Sequence, residues 1–517
     1  MIEYKSGERL GFIKKAHTRQ SVLVQLFLEK KEFFFDLLLE HIQISAVSIL
    51  IAIVIGLFIG ILISEYKKTS KFTLSVISFL YTIPSISMLG FLIPYTGVGN
   101  TTAIIELTIY ALLPMVRNTY TGLTNVDENI IEAAKGMGST DYQILYKIKL
   151  PLSMPMILSG IRSMATMTIA LAGIASFIGA GGLGVAIYRG ITTNNANMTM
   201  IGSILIALLA LFVDFILGCL EKKKGSILVV VLIILSLSVS MFLNKQQETI
   251  HIATKPMTEQ YILGEMMDIL IEQDTNLNVE ITQGVGGGTS NIQPGMESAE
   301  FDIYPEYTGT GWNMVLKKDG LYTEDLFNDL QKQYQKKYDM SWLGMYGFND
   351  TYGLVVRKEI AEQYGLKTYS DLKRVSSLLV FGAEYDFFER EDGYDALCDV
   401  YGLNFKKTMD LDIGLKYQAI NQGKIDVMNV FTTDGQLSTS NVTVLKDDQN
   451  LYPSYMCGNV VRNEVLKKHP ELKTVLNKLT NTISDAQMAK MNYEVETLKK
   501  EPRDIAKKFL KDRGLLK

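Results

Sequence analysis

The run IQISAVSILIAIVIGLFIGILIS, Ile42–Ser64, decides the fold class. It carries no charge, and Gln43 is its strongest polar residue. As a helix it spans roughly 34 Å at 1.5 Å per residue, enough to cross the hydrocarbon core of a bilayer. Further apolar stretches follow at Phe72–Pro94, Thr101–Val116, Pro155–Ala180, Met198–Leu220 and Ile227–Leu243. Signal peptides are short and removed, so six long segments cannot be targeting sequence. The expectation is an all-α membrane domain of about six spans over 42–244. Three spans carry one ionisable residue each: Glu106, Arg162 and Asp214. Charge in a bilayer is expensive and faces other helices or a wet cavity; Asp214, near a helix end, has the alternative of reaching the interface.

Composition agrees with a chain in two halves. Of 517 residues, 47% are hydrophobic and 21% charged, and the mean hydropathy is +0.14. That much apolar surface excludes global disorder. With 51 Lys+Arg against 55 Asp+Glu and no basic, aromatic-laced stretch, a nucleic-acid partner is disfavoured as well. Cys219, Cys398 and Cys457 have no metal-ligand spacing, so no metal is expected; a Cys398–Cys457 pairing stays open.

Basic residues between spans orient the chain. Lys67, Lys68 and Lys71 follow the first span; Arg117, Lys135, Lys147 and Lys149 lie between the third and fourth; Lys222, Lys223 and Lys224 follow the fifth. The loop 95–100 has no basic residue, and the loop 181–197 has only Arg189. The three basic loops are therefore expected in the cytoplasm, and everything after a linker at 245–248 outside it. This topology leaves the basic tail, with Lys5, Arg9, Lys14, Lys15 and Arg19, on the outer side, against the rule. Residues 21–41, with Glu29, Lys30, Lys31 and Glu32 in mid-run, read as an interfacial amphipathic helix that ends a segment 1–41.

The loop EAAKGMGSTDYQILYKIKLP, Glu132–Pro151, reads as a short helix begun by Glu132, Ala133 and Ala134, a bend at Gly138, and a second helix stopped by Pro151. Tyr142, Leu145, Tyr146 and Lys149 then form a stripe suited to a partner's groove, or the face of an ordinary surface hairpin. Gly179, Gly181 and Gly184 spell GxGxxG, but an apolar span precedes them where a dinucleotide site needs a strand. No GxxxxGK[ST] occurs, so ATP hydrolysis must come from another polypeptide.

From Thr249 the composition turns soluble. Thr249–Thr254, Val279–Gln283, Phe301–Tyr304, Leu378–Ala383 and Ile425–Phe431 read as strands; Glu259–Gln273, Thr323–Lys337, Ser370–Arg374 and Leu415–Asn421 read as helices. The alternation predicts an α/β domain over 249–517 with mostly parallel sheets, large enough for two lobes (about 249–345 with 457–517, and about 346–456). Ligands of open α/β sheets sit beyond the carboxyl ends of strands. Gly284-Val-Gly-Gly-Gly-Thr289-Ser290 follows a strand and offers N–H groups and hydroxyls, or is simply a flexible loop. Tyr304, Tyr307 and Thr310 lie in DIYPEYTGTGW, Asp302–Trp312. Tyr352 lies in Tyr346–Val356, Glu384 and Arg390 in Phe381–Tyr394, and Tyr417, Phe431 and Asp434 in Gly414–Gly435. Aromatics at strand ends are ordinarily lobe packing. A quaternary ammonium, however, has no N–H to donate and is recognised by aromatic faces worth about 0.5–2 kcal/mol each.

The Glu132–Pro151 spacing resembles the EAA loop of ABC-importer permeases, in which Asp commonly precedes the first glycine; Met137 stands there in this chain. TIPSISMLGFLIPYTGVGN (Thr82–Asn100) and FIGAGGLG (Phe177–Gly184) resemble permeases of compatible-solute importers. YPEYTGTG (Tyr304–Gly311) and FTTDG (Phe431–Gly435) resemble the binding proteins of glycine betaine, choline and carnitine importers. With TKPMTEQYIL and QGVGGGTSNIQPGME, the fused chain looks most like the ergothioneine-uptake branch. The resemblance implies a type I ABC permease domain fused to a two-lobed type II binding domain of the periplasmic-binding-protein kind. It implies no enzyme activity and no cofactor in this chain. ATP and Mg would sit on two copies of a partner ATPase, contacted by Glu132, Ala133, Ala134, Gly138, Tyr142, Tyr146 and Pro151, and the permease would form a homodimer. The ligand would be a small quaternary ammonium, ergothioneine or else glycine betaine, choline or carnitine. Its trimethylammonium would go to the aromatics, its carboxylate to Arg390, and the imidazole-thione N–H groups of ergothioneine to Glu384 or Asp434. A sensor would need an output domain, absent after the last inward loop. An extracytoplasmic enzyme would need a nucleophile and base, and only His251 and His469 fall there.

Overall fold

The computed structural model describes residues 23–221 and 248–517, apart from 194, 391 and 453. The basic tail, the sixth expected span and most of the linker lie outside the described residues. Two compact units emerge, one within 1–187 and 197–246, the other within 188–196 and 247–517.

The first unit is helical. Lys31–Glu65 is a single helix of 35 residues, so the expected interfacial helix is not a separate element: from Lys31 its charged part runs straight into the first span. The reason lies in what the charges touch. Gly182 donates its N–H to the Glu40 carboxylate at 2.8 Å, and buried His41 donates from Nε2 to the Ile169 carbonyl at 2.8 Å. A Cβ at Gly181 would lie 2.3 Å from Glu40 Oε2, and one at Gly184 2.0 Å from the Gly173 carbonyl oxygen. The glycines of FIGAGGLG are therefore packing residues that let a turn press against this helix.

The expected span Phe72–Pro94 is broken. Helices Lys67–Thr82 and Ser85–Thr96 meet at 98° around Ile83 and Pro84, since a residue preceding proline is pushed to extended geometry and Ile83 has ψ 130°. Pro151, in turn, does not stop the second loop helix. The chain runs from Asp141 through a π-helical turn, Leu145–Lys149, into Leu150–Leu171, and the widened turn absorbs the missing proline N–H. Among the described residues, three helices are long and apolar enough to cross a membrane, or four with the bent pair taken as one.

The loop helix Glu128–Gly136 is capped by Asp127, and Thr140 with Gln143 forms a capping box at the start of the next. Gly138 between them has φ +85°, a conformation that suits glycine. Glu132 and Ala133 are exposed and Ala134 is buried. Tyr142 and Tyr146 stand in solvent with ring centroids 4.5 Å apart, whereas Lys149 is drawn off to Glu65 at 2.8 Å.

Among the described residues, the second unit holds ten strands: β1 Thr249–Ala253, β2 Asn278–Thr282, β3 Ile303–Tyr307, β4 Met340–Leu343, β5 Tyr352–Arg357, β6 Val380–Ala383, β7 Lys407–Asp410, β8 Val427–Phe431, β9 Val442–Leu445 and β10 Cys457–Arg462. They form two five-stranded sheets, ordered β2-β1-β3-β10-β4 and β7-β6-β8-β5-β9, one to each lobe. The sheets are mixed, not mostly parallel. β1 pairs with β2 and β3, and β6 with β7 and β8, in parallel. β10 pairs with β3 and β4, and β5 with β8 and β9, antiparallel. The reason is connectivity: β5 and β10 are the strands by which the chain enters each lobe after crossing from the other.

Two of the three charges in the expected spans pair with each other, and Glu106 Oε1 is buried without a hydrogen-bond partner among the described residues. Arg162 donates from Nε and Nη2 to the two oxygens of Asp214, at 2.5 and 2.6 Å, joining two helices; Glu106 is buried. Asp214 therefore pairs within the protein. Asp214→Ala is expected to lower the unfolding midpoint, and the exchange Arg162→Asp with Asp214→Arg to recover most of it. Thermal unfolding in detergent checks this; an unchanged midpoint for Asp214→Ala would contradict it.

Candidate functional site

The chain crosses between the lobes twice, through 344–351 and 446–456, and the crossings pair through an antiparallel bridge, Asn349 to Met456. Strand ends next to these crossings carry aromatic residues. Tyr352 opens β5 and lies directly across from Phe431, the last residue of β8. Its ring centroid is 5.1 Å from Phe431, 5.1 Å from Phe387, 5.4 Å from Tyr452 and 5.6 Å from Tyr455, the last edge-on. Five rings thus share one hub.

A cation already rests on it. The Arg390 guanidinium carbon is 5.6 Å from the Tyr352 ring centre and 5.7 Å from that of Tyr455. Asp392 takes its Nε and Nη2 at 2.7 Å each, and Nη1 donates to Thr310 at 3.3 Å. The bidentate edge expected for a ligand carboxylate is therefore occupied by Asp392, because a buried guanidinium needs a local counter-ion. The Nη1/Nη2 end faces Thr310 and the Tyr455 hydroxyl.

Two lysines repeat the pattern. Lys416, buried, is 2.7 Å from Glu384 and lies 5.1 Å from the centre of Phe431. Lys255 is 2.5 Å from Glu306 and 4.7 Å from the centre of Tyr307. Glu384 also accepts from Asn429 at 2.8 Å, so both its oxygens are engaged within the protein, contrary to an open acceptor there. Asp434 accepts the Tyr417 hydroxyl at 2.8 Å and the Phe431 N–H at 3.0 Å, both on Oδ2. Burial raises the Asp434 carboxyl above its ordinary range, with Lys416 opposing. Glu496 is pushed up to about 8 by burial, with the charge of Asp434 adding to it. A cavity of about 30 Å³ reaches these groups, room for water and little more.

The expected residues thus divide. Tyr352, Phe431, Arg390 and Thr310 meet at the hub, and Tyr417, Asp434 and Glu384 border it through Lys416 and Phe431. Tyr307 and Thr289 lie one step away: Thr289 donates to Glu306 at 2.7 Å, and the Tyr307 hydroxyl donates to Glu259. Ser290 is exposed, with no part in this network. Tyr304 is lobe packing and not a cage residue: it is wholly buried, and its hydroxyl donates to Gln293 at 3.0 Å. Lys255, Lys416, Asp392, Tyr452 and Tyr455 escaped the sequence reading. The first lies in TKPMTEQYIL just past β1, a strand end like the others; Tyr455 precedes β10, a strand that periodicity did not reveal. The three cysteines are unpaired, and no cluster of metal-ligating side chains occurs among the described residues.

Residues 52–244 match the family model of the inner-membrane component of binding-protein-dependent transport systems, and 248–512 match that of the substrate-binding domain of ABC-type glycine betaine transport systems. The ergothioneine transport permease/ergothioneine binding protein EgtU of Helicobacter pylori is 39% identical over 491 residues, covering 91% of this chain and 88% of that protein. This chain belongs to the fused permease and substrate-binding subunits of ABC importers. The carnitine transport binding protein OpuCC of Listeria monocytogenes is 36% identical over 301 residues, covering 56% of the chain and 96% of the relative. The permease OpuCB of that organism is 42% identical over 184 residues, covering 36% and 84%. The importer subunit is a membrane protein and not an enzyme; it works with an ATPase partner and a small-molecule ligand.

In this importer subunit, Tyr304→Phe is expected to cost about 1 kcal/mol by stranding Gln293, and to leave ligand affinity unchanged. Denaturant unfolding alongside equilibrium binding checks it; a large loss of affinity would return Tyr304 to the site.

Proposed function

We propose that this subunit imports ergothioneine, a trimethylated histidine betaine bearing a thione, and that the aromatic hub around Tyr352 receives its trimethylammonium group. The observation that carries the reading is the Arg390 guanidinium resting over Tyr352 and Tyr455: these faces are built to hold a positive charge. The ligand carboxylate then meets the Nη end of Arg390, beside Thr310. Asp434, which uses Oδ2 for its protein partners, is the better placed of the two candidate acceptors for the imidazole-thione N–H groups, since Glu384 is taken by Lys416 and Asn429. The likeness to EgtU over most of both chains supports ergothioneine. The likeness to OpuCC, and the protein partners already filling Glu384, support the second reading, an osmoprotectant such as carnitine, glycine betaine or choline.

In the working cycle the binding domain lies outside the cell, closes on ligand and delivers it to the permease. Tethering replaces encounter by an effective concentration around millimolar for a short linker. Two copies of the chain pair through their permease domains and engage two ATPase subunits, which carry ATP and Mg. Exposed Tyr142 and Tyr146, on the loop begun by Glu132, Ala133 and Ala134, supply the docking face.

Calorimetry on the full chain in nanodiscs is expected to rank ergothioneine well above carnitine, glycine betaine and choline. Arg390→Ala is expected to weaken the carboxylate-bearing ligands tenfold or more beyond its effect on choline, which has no carboxylate. A reversed ranking would move the substrate to the osmoprotectants, and equal losses would remove Arg390 from the carboxylate.

A further inference from the structure

Next to the crossings, one hydroxyl faces two buried carboxyl groups. Thr433 Oγ1 lies 2.6 Å from Glu259 Oε2 and 2.6 Å from Asp350 Oδ1. Glu259 belongs to helix Thr258–Asp274 of the first lobe, Asp350 to the crossing before β5, and Thr433 to the second lobe after β8. All three are buried. A threonine hydroxyl carries a single hydrogen and can donate to only one of the two. The other contact needs a hydrogen from the carboxyl itself, so two ionised carboxylates do not fit this geometry.

The remaining donors decide which group is the acid. Glu259 accepts from the Tyr307 hydroxyl on Oε1 and from Asn492 Nδ2 at 3.4 Å on Oε2, the surroundings of an anion. Asp350 has no donor besides Thr433 and touches the Glu259 carboxyl itself, and its Oδ2 is buried without a hydrogen-bond partner among the described residues. The chain of bonds therefore runs from Asp350 Oδ1–H to Thr433 Oγ1, and from the Thr433 hydroxyl to Glu259 Oε2. Asn492 also donates to the Thr433 carbonyl at 2.8 Å, a second bond from lobe to lobe.

We propose that Asp350, Thr433 and Glu259 form a one-proton clamp between the lobes, so that closing of the binding domain takes up a proton and weakens as pH rises. The surroundings hold that proton. Asp434, from the turn after β8, adds negative charge, and Glu496, on helix Asp485–Glu496, is itself pushed up to about 8. Tyr417, from helix Lys416–Asn421, also faces Asp350; Tyr307 and Cys457 face the pair from β3 and β10. The nearby cations Lys255 and Lys416 are committed to Glu306 and Glu384. Burial pushes both carboxyls of the pair up, and the charge of Glu259 pushes Asp350 further. The pair titrates as a unit. In the open, hydrated state each carboxyl returns towards its ordinary value near 4. A closed-state value above the open one makes closing most favourable at low pH. The advantage is lost as pH rises towards the closed-state value, with about one proton taken up per closing in between.

The test uses the full chain in nanodiscs and rests on the two-lobed domain, whichever ligand it takes. Calorimetry with ergothioneine, carnitine and glycine betaine, in buffers of different ionisation enthalpy at neutral pH, reads the proton linkage of whichever binds. The expected result is uptake of about one proton in the wild type and none in Asp350→Asn, whose amide can still donate to Thr433. Glu259→Gln, which removes the charge that pushes Asp350 up and leaves Thr433 and an amide as donors to it, is expected to abolish uptake as well, and it serves if the first variant does not fold. Infrared difference spectra of ligand-free protein, wild type minus Asp350→Asn, are expected to show a protonated carboxyl stretch at neutral pH. No uptake in the wild type, uptake retained in Asp350→Asn, or no such stretch would each overturn the clamp.

Discussion

A buried positive charge must be matched where it lies, and the binding domain obeys this constraint three times over. Lys255 sits on Glu306 and faces Tyr307; Lys416 sits on Glu384 and faces Phe431; Arg390 sits on Asp392 and faces Tyr352 and Tyr455. Each cation is neutralised by a carboxylate and steadied by a ring. The result is a set of buried aromatic faces whose cations are each neutralised in place. In the proposed reading, a permanently charged head group would meet rings that already carry a cation, and its carboxylate would meet the outer end of a guanidinium whose inner edge is fixed. Because Asp392 and the rings hold Arg390 in place, its outer end is oriented before any ligand arrives.

The membrane unit follows the same rule in a harsher solvent. Arg162 and Asp214 satisfy one another across two helices. Glu40 and His41, near the start of the first span, spend their polarity on the backbone of a glycine turn and of a neighbouring helix. The glycines there allow contacts that any Cβ would prevent. A stretch that mimics a dinucleotide fingerprint is thus explained by close packing.

The sequence made the architecture legible because the membrane signal and the strand–helix alternation are both local. It also made legible the strand ends at which Tyr352, Phe431 and Arg390 stand. It did not reveal β4, β5, β7, β9 and β10: β4, β7 and β9 are only four residues each, and β5 and β10 pair antiparallel where the chain crosses between lobes. That blindness hid Tyr455, two residues before β10. Nor could it separate Tyr304 from Tyr307, three positions apart on one strand: one hydroxyl ends on Gln293 in the packing of the first lobe, the other on Glu259 towards the crossings. Partner choice misled as well. Arg390 and Glu384 were legible as charged groups near a ligand, but the counter-ions Asp392 and Lys416 that claim them become visible only in three dimensions. Pro151, a helix breaker by type, was neutralised by a π turn that no pattern in the loop announces.

The central claim is that the hub recognises positive charge and not merely a bulky apolar group. The most direct measurement compares a trimethylammonium ligand with its carbon isostere, in which a tert-butyl group of the same shape replaces the charged head. With two or three faces at about 0.5–2 kcal/mol each, affinity is expected to fall at least tenfold in the neutral isostere. Equal affinity for the two would contradict the account and reduce the hub to a hydrophobic pocket.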